Sequence, residues 1–289
     1  MLRDRCRIIV QTQWGGNAAD LLVALHAHRS AESVSRFHDE TPAAPIAVVL
    51  TGTDLYRDLP GSAEASRSLD LAHAIVALQD DAPRLLAPRW RRKAEVIYQS
   101  ALPLRPRRKP RDRLDCVVVG HLRAEKDPLT LFRALARIDA SLPVTVRHIG
   151  APLDGALGAA ARRLQSEDPR YQYAGALAHG LTRAAVKSAH LLVHPSLMEG
   201  GANVIAEAVT SGTAVVASRV SGNVGMLGRD YEGYFEPRDA SGLALRLVQA
   251  CEDRDYLARL ERQCAARRAL FSPAAEARAL RALVARLLA

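Results

Sequence analysis

Short apolar runs alternate along the chain with stretches in which apolar residues recur every three or four positions, the periods of strand and helix. In the first half, "CRIIVQTQW", "DLLVALHA", "PIAVVLTG", "AIVALQ" and "AEVIYQS" predict strands, with "SAESVSRFHDE" the clearest intervening helix. The pattern restarts at "DCVVVGHL". There "LPVTVRHIG", "YQYAG", "HLLVHPS", "AVVASRV" and "GYFEP" predict strands, and "DPLTLFRALARID", "GALGAAARRLQSE", "HGLTRAAVKSA" and "NVIAEAVTSG" the helices between them. Strands alternating with helices predict parallel sheets covered by helices, so the fold class is α/β with two Rossmann-like sheets in series. The terminal "SPAAEARALRALVARLLA" predicts a helix with Ser272 as N-cap and Pro273 at its first position. Leu280, Leu283, Val284, Leu287 and Leu288 fall on one face of it.

A chain of 289 residues, 48% hydrophobic, can bury a large core and favours two domains. We expect a first domain over residues 1–104, a basic linker over 105–113, a second domain over 114–271, and a final helix over 272–289 that packs back on the first domain. No internal repeat is visible. The net charge of +9 raises the possibility of nucleic-acid binding. Its densest part, "RWRRKAEVIYQSALPLRPRRKPRDR", carries three prolines and lies between the two halves, where a solvated linker belongs. Aromatic residues make up only 4% of the chain, too few for stacking platforms, and no nucleic-acid-binding signature is present. Neither a nucleic acid nor a membrane is expected as partner, and nothing in the sequence sets an oligomeric state. No apolar run reaches a membrane span, and "MLRDRCRIIVQTQWGG" lacks the core of a signal peptide, so the expected location is the cytoplasm. Cys6, Cys116, Cys251 and Cys264 fall singly and read as reduced thiols.

"SLMEGGANVIAEAVTSG" places two glutamates, Glu199 and Glu207, around a glycine pair and a helix predicted to begin near Gly201 to Asn203 and end at Gly212. If the rise between them were fully helical, their backbones would stand roughly 12 Å apart. That exceeds the roughly 5 to 9.5 Å between paired glycosidase carboxylates. The spacing instead suits opposite parts of one elongated ligand. Gly200 and Gly201, lacking Cβ atoms, would let backbone N–H groups approach polar oxygens at a helix N-terminus. A glycine turn with two solvated glutamates is the plainer alternative. Asp253 and Asp255, the one Asp-x-Asp, lie in an amphipathic helical pattern and read as a solvated face, not a metal clamp.

In "VVVGHLRAEKDP" a strand ends at Gly120 and a helix opens at Asp127–Pro128, leaving Arg123 and Lys126 where two cations could grip a diphosphate. Together with the glutamate motif, this stretch resembles the donor half of a GT-B glycosyltransferase of the family-four type. Its marks are a Gly-Arg-Leu…Lys loop and two glutamates with seven residues between them. Glu199 and Glu207 match the second mark, and Lys126 matches the lysine of the first. His121 stands in the usual arginine place, so the phosphate contact passes to Arg123. "SGTAVVASRVSGN" is similar to the following segment, with Gly225 where many members place another glutamate. The resemblance implies two Rossmann-like domains facing a cleft. It assigns transfer chemistry to Arg123, Lys126 and Glu199, and donor binding to Gly120, His121, Gly200, Gly201, Ala202, Asn203 and Glu207.

"LLVALHAHRSAESVSRF", "LTGTDLYRDLP", "VIYQSA", "GHLRAEKDP", "EGGANVIAEAV" and "GNVGMLGRDYEGYF", in this order, resemble the members of that family that make selenosugars. What this implies is hexosyl transfer from UDP-N-acetylglucosamine or UDP-glucose to selenophosphate, with the UDP-sugar a substrate and neither cofactor nor metal required. Such an acceptor is anionic and already nucleophilic, so it needs cationic positioning more than a strong base. The acceptor side is assigned to His26, His28, Arg29, Thr53, Asp54 and Arg57, with Gly222 and Asn223. The histidines have an ordinary alternative as satisfied structural imidazoles. Members of the family open with a strand, a glycine-containing loop and a helix, whereas "RCRIIVQTQW" already looks like their second strand. The expectation is that one β-α unit, on the order of 30 residues, is missing ahead of it. Two other functions stay open: a GT-B enzyme acting on a hydroxyl of a glycan, lipid or small molecule, and a non-catalytic nucleotide-sugar-binding protein.

Overall fold

In the computed structural model, which describes residues 1–52 and 54–289, the chain divides into two compact units. Unit 1 comprises Met1–Ser100, Glu199–Gly201 and Leu270–Ala289, and unit 2 comprises Ala101–Met198 and Ala202–Ala269. Unit 1 is built from β1 (Leu22–Leu25), α1 (Ala31–Glu40), β2 (Ile46–Val49), α2 (Ala63–Leu71), β3 (Ala74–Ala77), α3 (Pro88–Arg91) and β4 (Ala94–Val96). The four strands are parallel and lie in the order β1-β2-β3-β4. Side chains alternate across this sheet, so Ile46 and Val48 enter a core with Val34, Phe37 and Leu69 from α1 and α2, while Ala47 faces the other side. Burial on both faces is why these strands read as unbroken apolar runs.

That second face is closed by the end of the chain. Leu283 packs on Ala47, Ala74, Val76 and Ile97. It belongs to the last helix, Pro273–Leu287, which starts as expected: the Ser272 hydroxyl accepts from the Ala275 N–H and Pro273 occupies the first turn. Glu276 accepts from the Ser100 N–H at 2.9 Å. Leu288 departs from the predicted apolar face and is exposed.

The strand predicted over "CRIIVQTQW" is absent. Ile8, Ile9 and Val10 are exposed without secondary structure, and only Trp14 is buried there, edge-on to Phe37 at 5.1 Å. Strand propensity expresses itself only where a partner and a half-buried surface exist, and β1, eight residues later, takes the place beside β2. β1 is an edge strand, and Val23 and Leu25 are exposed.

In unit 2 the order is β5 (Leu114–Val119), α4 (Pro128–Leu135), β6 (Val144–Ile149), α5 (Gly155–Glu167), β7 (Tyr171–Tyr173), α6 (His179–Ser188), β8 (Leu191–His194) and α7 (Asn203–Ser211). β9 (Ala214–Ser218), α8 (Ser221–Leu227), β10 (Tyr234–Phe235), α9 (Ala240–Glu252) and α10 (Arg254–Arg267) follow, and the terminal helix of unit 1 is α11. The six parallel strands run β10-β9-β8-β5-β6-β7. The order therefore reverses at β5, between β8 and β6, and ligands of open α/β sheets bind beyond the strand ends at such a point. Two units, each with a parallel sheet and helices, give the α/β architecture read from the sequence.

The basic stretch is not a solvated linker throughout. The Lys109 ammonium is largely buried, donating to the Gly212 carbonyl at the end of α7 at 2.8 Å and lying 3.7 Å from Glu261. The Pro110 carbonyl lies 2.8 Å from Nε2 of His190, and that of Arg111 accepts from Arg254. A helix C-terminus carries partial negative charge and unpaired carbonyls, which is what the buried ammonium meets. Asp253 likewise is no mid-helix residue: it separates α9 from α10 and caps the latter through the N–H groups of Asp255 and Tyr256. The four cysteines are free thiols, and burial pushes Cys116 and Cys264 up.

Candidate active site

The loop that leaves β5 at the reversal point carries Gly120, His121, Arg123 and Lys126. Its shape is fixed from beneath. A Cβ on Gly150 would lie 2.0 Å from the Gly120 carbonyl oxygen, so the two backbones touch only because residue 150 is glycine. The Ala151 N–H donates to Nδ1 of His121 at 2.9 Å, which puts the ring proton on Nε2 and leaves that exposed edge a donor. His121 thus presents a polar donor where the resemblance expected arginine. Deeper, buried His148 reaches the Gly120 carbonyl with Nε2 at 3.3 Å and the Tyr171 hydroxyl with Nδ1 at 2.9 Å. Desolvation pulls His148 down to about 4, so it is neutral at ordinary pH, donating to the carbonyl and accepting from the phenol. The Lys126 stem lies over Gly120, and Arg123 is exposed. Asp127 adopts φ +42°, ending the short turn Ala124–Lys126 and starting α4 with Pro128 at its first position.

The second loop at the reversal point follows β8. The Leu197 N–H donates to the Glu125 carbonyl at 2.8 Å, which ties it to the β5 loop. α7 begins at Asn203, with Ala202 at the cap position offering no side-chain hydrogen bond, and ends at Gly212 with φ +75°. Its first N–H groups are therefore left for other partners. Because the helix starts only at Asn203, the stretch between the two glutamates is not helical throughout. Glu199, Gly200 and Gly201 belong to unit 1. A Cβ on Gly200 would come within 2.6 Å of the Gly52 backbone nitrogen, and one on Gly201 within 2.7 Å of Leu78. The glycine pair thus makes room for the protein's own chain.

Glu207 is buried on α7. Its Oε1 is 2.7 Å from Nε2 of exposed His179 and 3.9 Å from the Nε of buried Arg183, both on α6. That Arg183 nitrogen has no hydrogen-bond partner among the described residues, while its NH2 donates to the Leu102 carbonyl. Neither α6 residue was singled out from the sequence, although a histidine and an arginine four apart at a helix start are a visible signal. Gly222 and Asn223, assigned to the acceptor side, are buried in the first turn of α8, and the Asn223 amide donates to the Ser218 carbonyl at 2.9 Å.

In unit 1 the acceptor-side candidates form two groups, and Thr53 lies outside the described residues. Exposed His28 meets the Ser62 hydroxyl at 2.9 Å, and Arg29 and Arg57 are exposed. His26 and Asp54 are buried together, with Nδ1 of the ring 2.6 Å from Oδ1 of the carboxyl, and Asp58 Oδ2 stands 3.4 Å from Nε2. Asp58 was not among the sequence candidates. Asp54 Oδ2 accepts from the Thr51 N–H at 2.8 Å and opens a π-helical turn, Asp54–Asp58. The Arg29 N–H lies 3.3 Å from Nδ1, a longer contact than that of Asp54. His26 has φ +78°, a left-handed conformation that costs an ordinary residue roughly 1 to 2 kcal/mol. Burial draws the imidazole below its ordinary value and pushes the Asp54 carboxyl up, and each partner opposes the other's shift.

Residues 113–253, just under half of the chain, match the family model described as "Glycosyl transferases group 1". HepE from Anabaena, solved in complex with UDP, superposes with a TM-score of 0.72 at 18% identity, over 92% of this chain and 79% of that one. Sucrose-phosphate synthase from Thermosynechococcus elongatus gives 0.75 at 20% identity, over 93% and 73%. An α,α-trehalose-phosphate synthase (UDP-forming) from Burkholderia xenovorans, in complex with glucose-6-phosphate, gives 0.73 at 16% identity, over 93% and 73%. No curated protein sequence matches the chain. The fold is GT-B.

Proposed function

We propose that the protein is a cytoplasmic glycosyltransferase that moves a hexosyl group from a UDP-sugar, UDP-N-acetylglucosamine or UDP-glucose, to selenophosphate, forming a selenosugar and releasing UDP. The observation that carries the donor half is the joining of the β5 and β8 loops at the strand-order reversal, through Leu197 and Glu125, with Arg123, Lys126 and the uncapped start of α7 there. Negative charge develops on the β-phosphate as the glycosidic bond breaks. Two cations and backbone N–H groups meet that charge, and His148 and Gly150 pack on Gly120 at the root of the loop that carries the cations. Glu207 accepts from ribose hydroxyls, with His179 exchanging its contact for the ligand, and Glu199 orients the sugar. This scheme calls for neither metal nor further cofactor. HepE, of the same fold, was solved with UDP and with UDP-glucose, which supports the choice of nucleotide.

For the acceptor the support is the ordered resemblance of the motifs and the exposed cations Arg29 and Arg57, which suit an anion. The synthase solved with glucose-6-phosphate is a neighbour crystallised with a phosphorylated small molecule. Incubation with each UDP-sugar and selenophosphate, followed by mass spectrometry, is expected to yield a hexose bonded to selenium. Products on simple alcohols with none on selenophosphate would refute the acceptor and favour a hydroxyl-directed enzyme. Tight UDP-sugar binding without any product would favour a binding protein.

A further inference from the structure

Glu207 stands between two basic side chains of α6, and as the structure stands it sides with the more exposed one. His179, at the first position of the helix, brings Nε2 to within 2.7 Å of Oε1 although its side chain is 73% exposed. Arg183, one turn further on and buried like Glu207 itself, keeps its Nε 3.9 Å from the same oxygen, roughly 1 Å beyond a good hydrogen bond. That Nε–H is enclosed by protein and has no hydrogen-bond partner among the described residues. A buried donor left unpaired is rare in native folds and asks for a reason. Misplacement is not the reason, because the Arg183 NH2 group donates to the Leu102 carbonyl and pins the guanidinium. The exposed His179 contact, for its part, orders two side chains for little gain in water. All three residues, and Leu102, belong to unit 2.

We propose that Arg183 is a positioning residue of the ribose subsite and that His179 is a clasp on it. Glu207 then has two arrangements: held by His179, as in the structure, and turned onto the Arg183 Nε–H once ribose hydroxyls displace the imidazole. A carboxylate has about four lone-pair sites, so it accepts from Arg183 and from two hydroxyls together. The second arrangement pairs the buried N–H with an anion, a charge-assisted bond of the stronger kind, and fixes the carboxylate plane at which the hydroxyls meet it. His179 acts the other way. A contact that must be given up on binding is subtracted from the affinity, as any competing arrangement is. This rests on the reading of Glu207 as the group that accepts from ribose, and it adds what fixes that group when the nucleotide is bound and what competes for it otherwise. A nucleotide lacking the hydroxyls gains nothing from the exchange and leaves the clasp closed.

Calorimetric titration with UDP and with 2′,3′-dideoxy-UDP, which lacks both hydroxyls, tests both roles. The wild type is expected to bind UDP roughly tenfold or more tightly than the dideoxy nucleotide. His179→Ala removes the clasp and leaves Glu207 in place, so UDP should bind about two- to fivefold more tightly and the dideoxy nucleotide as before. Arg183→Gln should weaken UDP by about tenfold or more with little effect on the dideoxy nucleotide, and Arg183→Lys, which keeps the charge, should recover part of the loss. A merely structural role would alter both nucleotides alike. His179→Ala with unchanged or weaker UDP binding would overturn the clasp. Equal losses for both nucleotides, or no loss, in the Arg183 variants would overturn the positioning residue, and the lysine variant carries that arm if Arg183→Gln folds poorly. Equal wild-type affinities for the two nucleotides would instead sink the reading of Glu207 as the ribose ligand, and binding of neither would sink the nucleotide site itself.

Discussion

His148 reaches the Gly120 carbonyl and the Tyr171 hydroxyl from a buried position, and desolvation holds it at about 4. An unfolded histidine titrates near 6.5. Between these values the unfolded chain binds more protons than the folded one, so stability is fully present above about pH 6.5 and falls as the pH drops toward 4. The loss should total about 3 kcal/mol. Denaturant unfolding at pH 6.5 and at pH 4 measures it, and His148→Gln should flatten the difference; equal slopes in both proteins would contradict a neutral buried ring. Glu207 gives a second prediction. Its replacement by Gln keeps the shape but loses charged hydrogen bonds, each worth roughly 1.5 to 3 kcal/mol, so UDP affinity should fall on the order of 10 to 100-fold in a titration. Lys126, Glu207 and His26 were singled out in the sequence by chemistry and spacing. His148, Arg183 and Asp58 were not, because their partners Gly120, Glu207 and His26 stand 28, 24 and 32 positions away and only the fold joins them.

Among the elements, the strands of the second half stood out because a parallel strand buried on both faces must be apolar throughout, as in Val117–Val119 or Leu191–Val193. The same reading failed for Ile8–Val10, whose composition is equally strand-like, since pairing and cover decide whether a strand forms. The π-turn at Asp54–Asp58 has no periodic signature, and the strap around Lys109 looked like solvated charge because burial of an ammonium leaves no trace in composition. The packing of β5 against β6 makes an element-scale prediction. Gly150→Ala would force a methyl against the Gly120 carbonyl and displace the loop that carries Arg123 and Lys126. Overpacking of this kind should cost roughly 1 to 3 kcal/mol of stability and weaken UDP binding together. Unchanged binding would mean that the loop takes no part in holding the nucleotide.

At the scale of the molecule, the chain leaves unit 1 after Ser100, rejoins it briefly at Glu199–Gly201 and returns for good at Leu270, and α11 completes the core that the first hundred residues leave open. A helix with a capped start and one apolar face was readable from the sequence; the sheet it covers is fixed by contacts across nearly the whole chain. Leu283→Ala should therefore destabilise unit 1 by about 2 to 5 kcal/mol, seen as an earlier first transition in thermal unfolding. UDP binding to the folded protein should persist, because Arg123, Lys126 and Glu207 belong to unit 2. The central claim, a UDP-sugar-dependent transferase whose acceptor is selenophosphate, meets its most direct test in UDP release measured at saturating UDP-N-acetylglucosamine or UDP-glucose while selenophosphate is varied. The expected result is a rate that rises from near zero to saturation with selenophosphate and is lost in Lys126→Ala. A rate independent of selenophosphate, or one that only an alcohol supports, would contradict it.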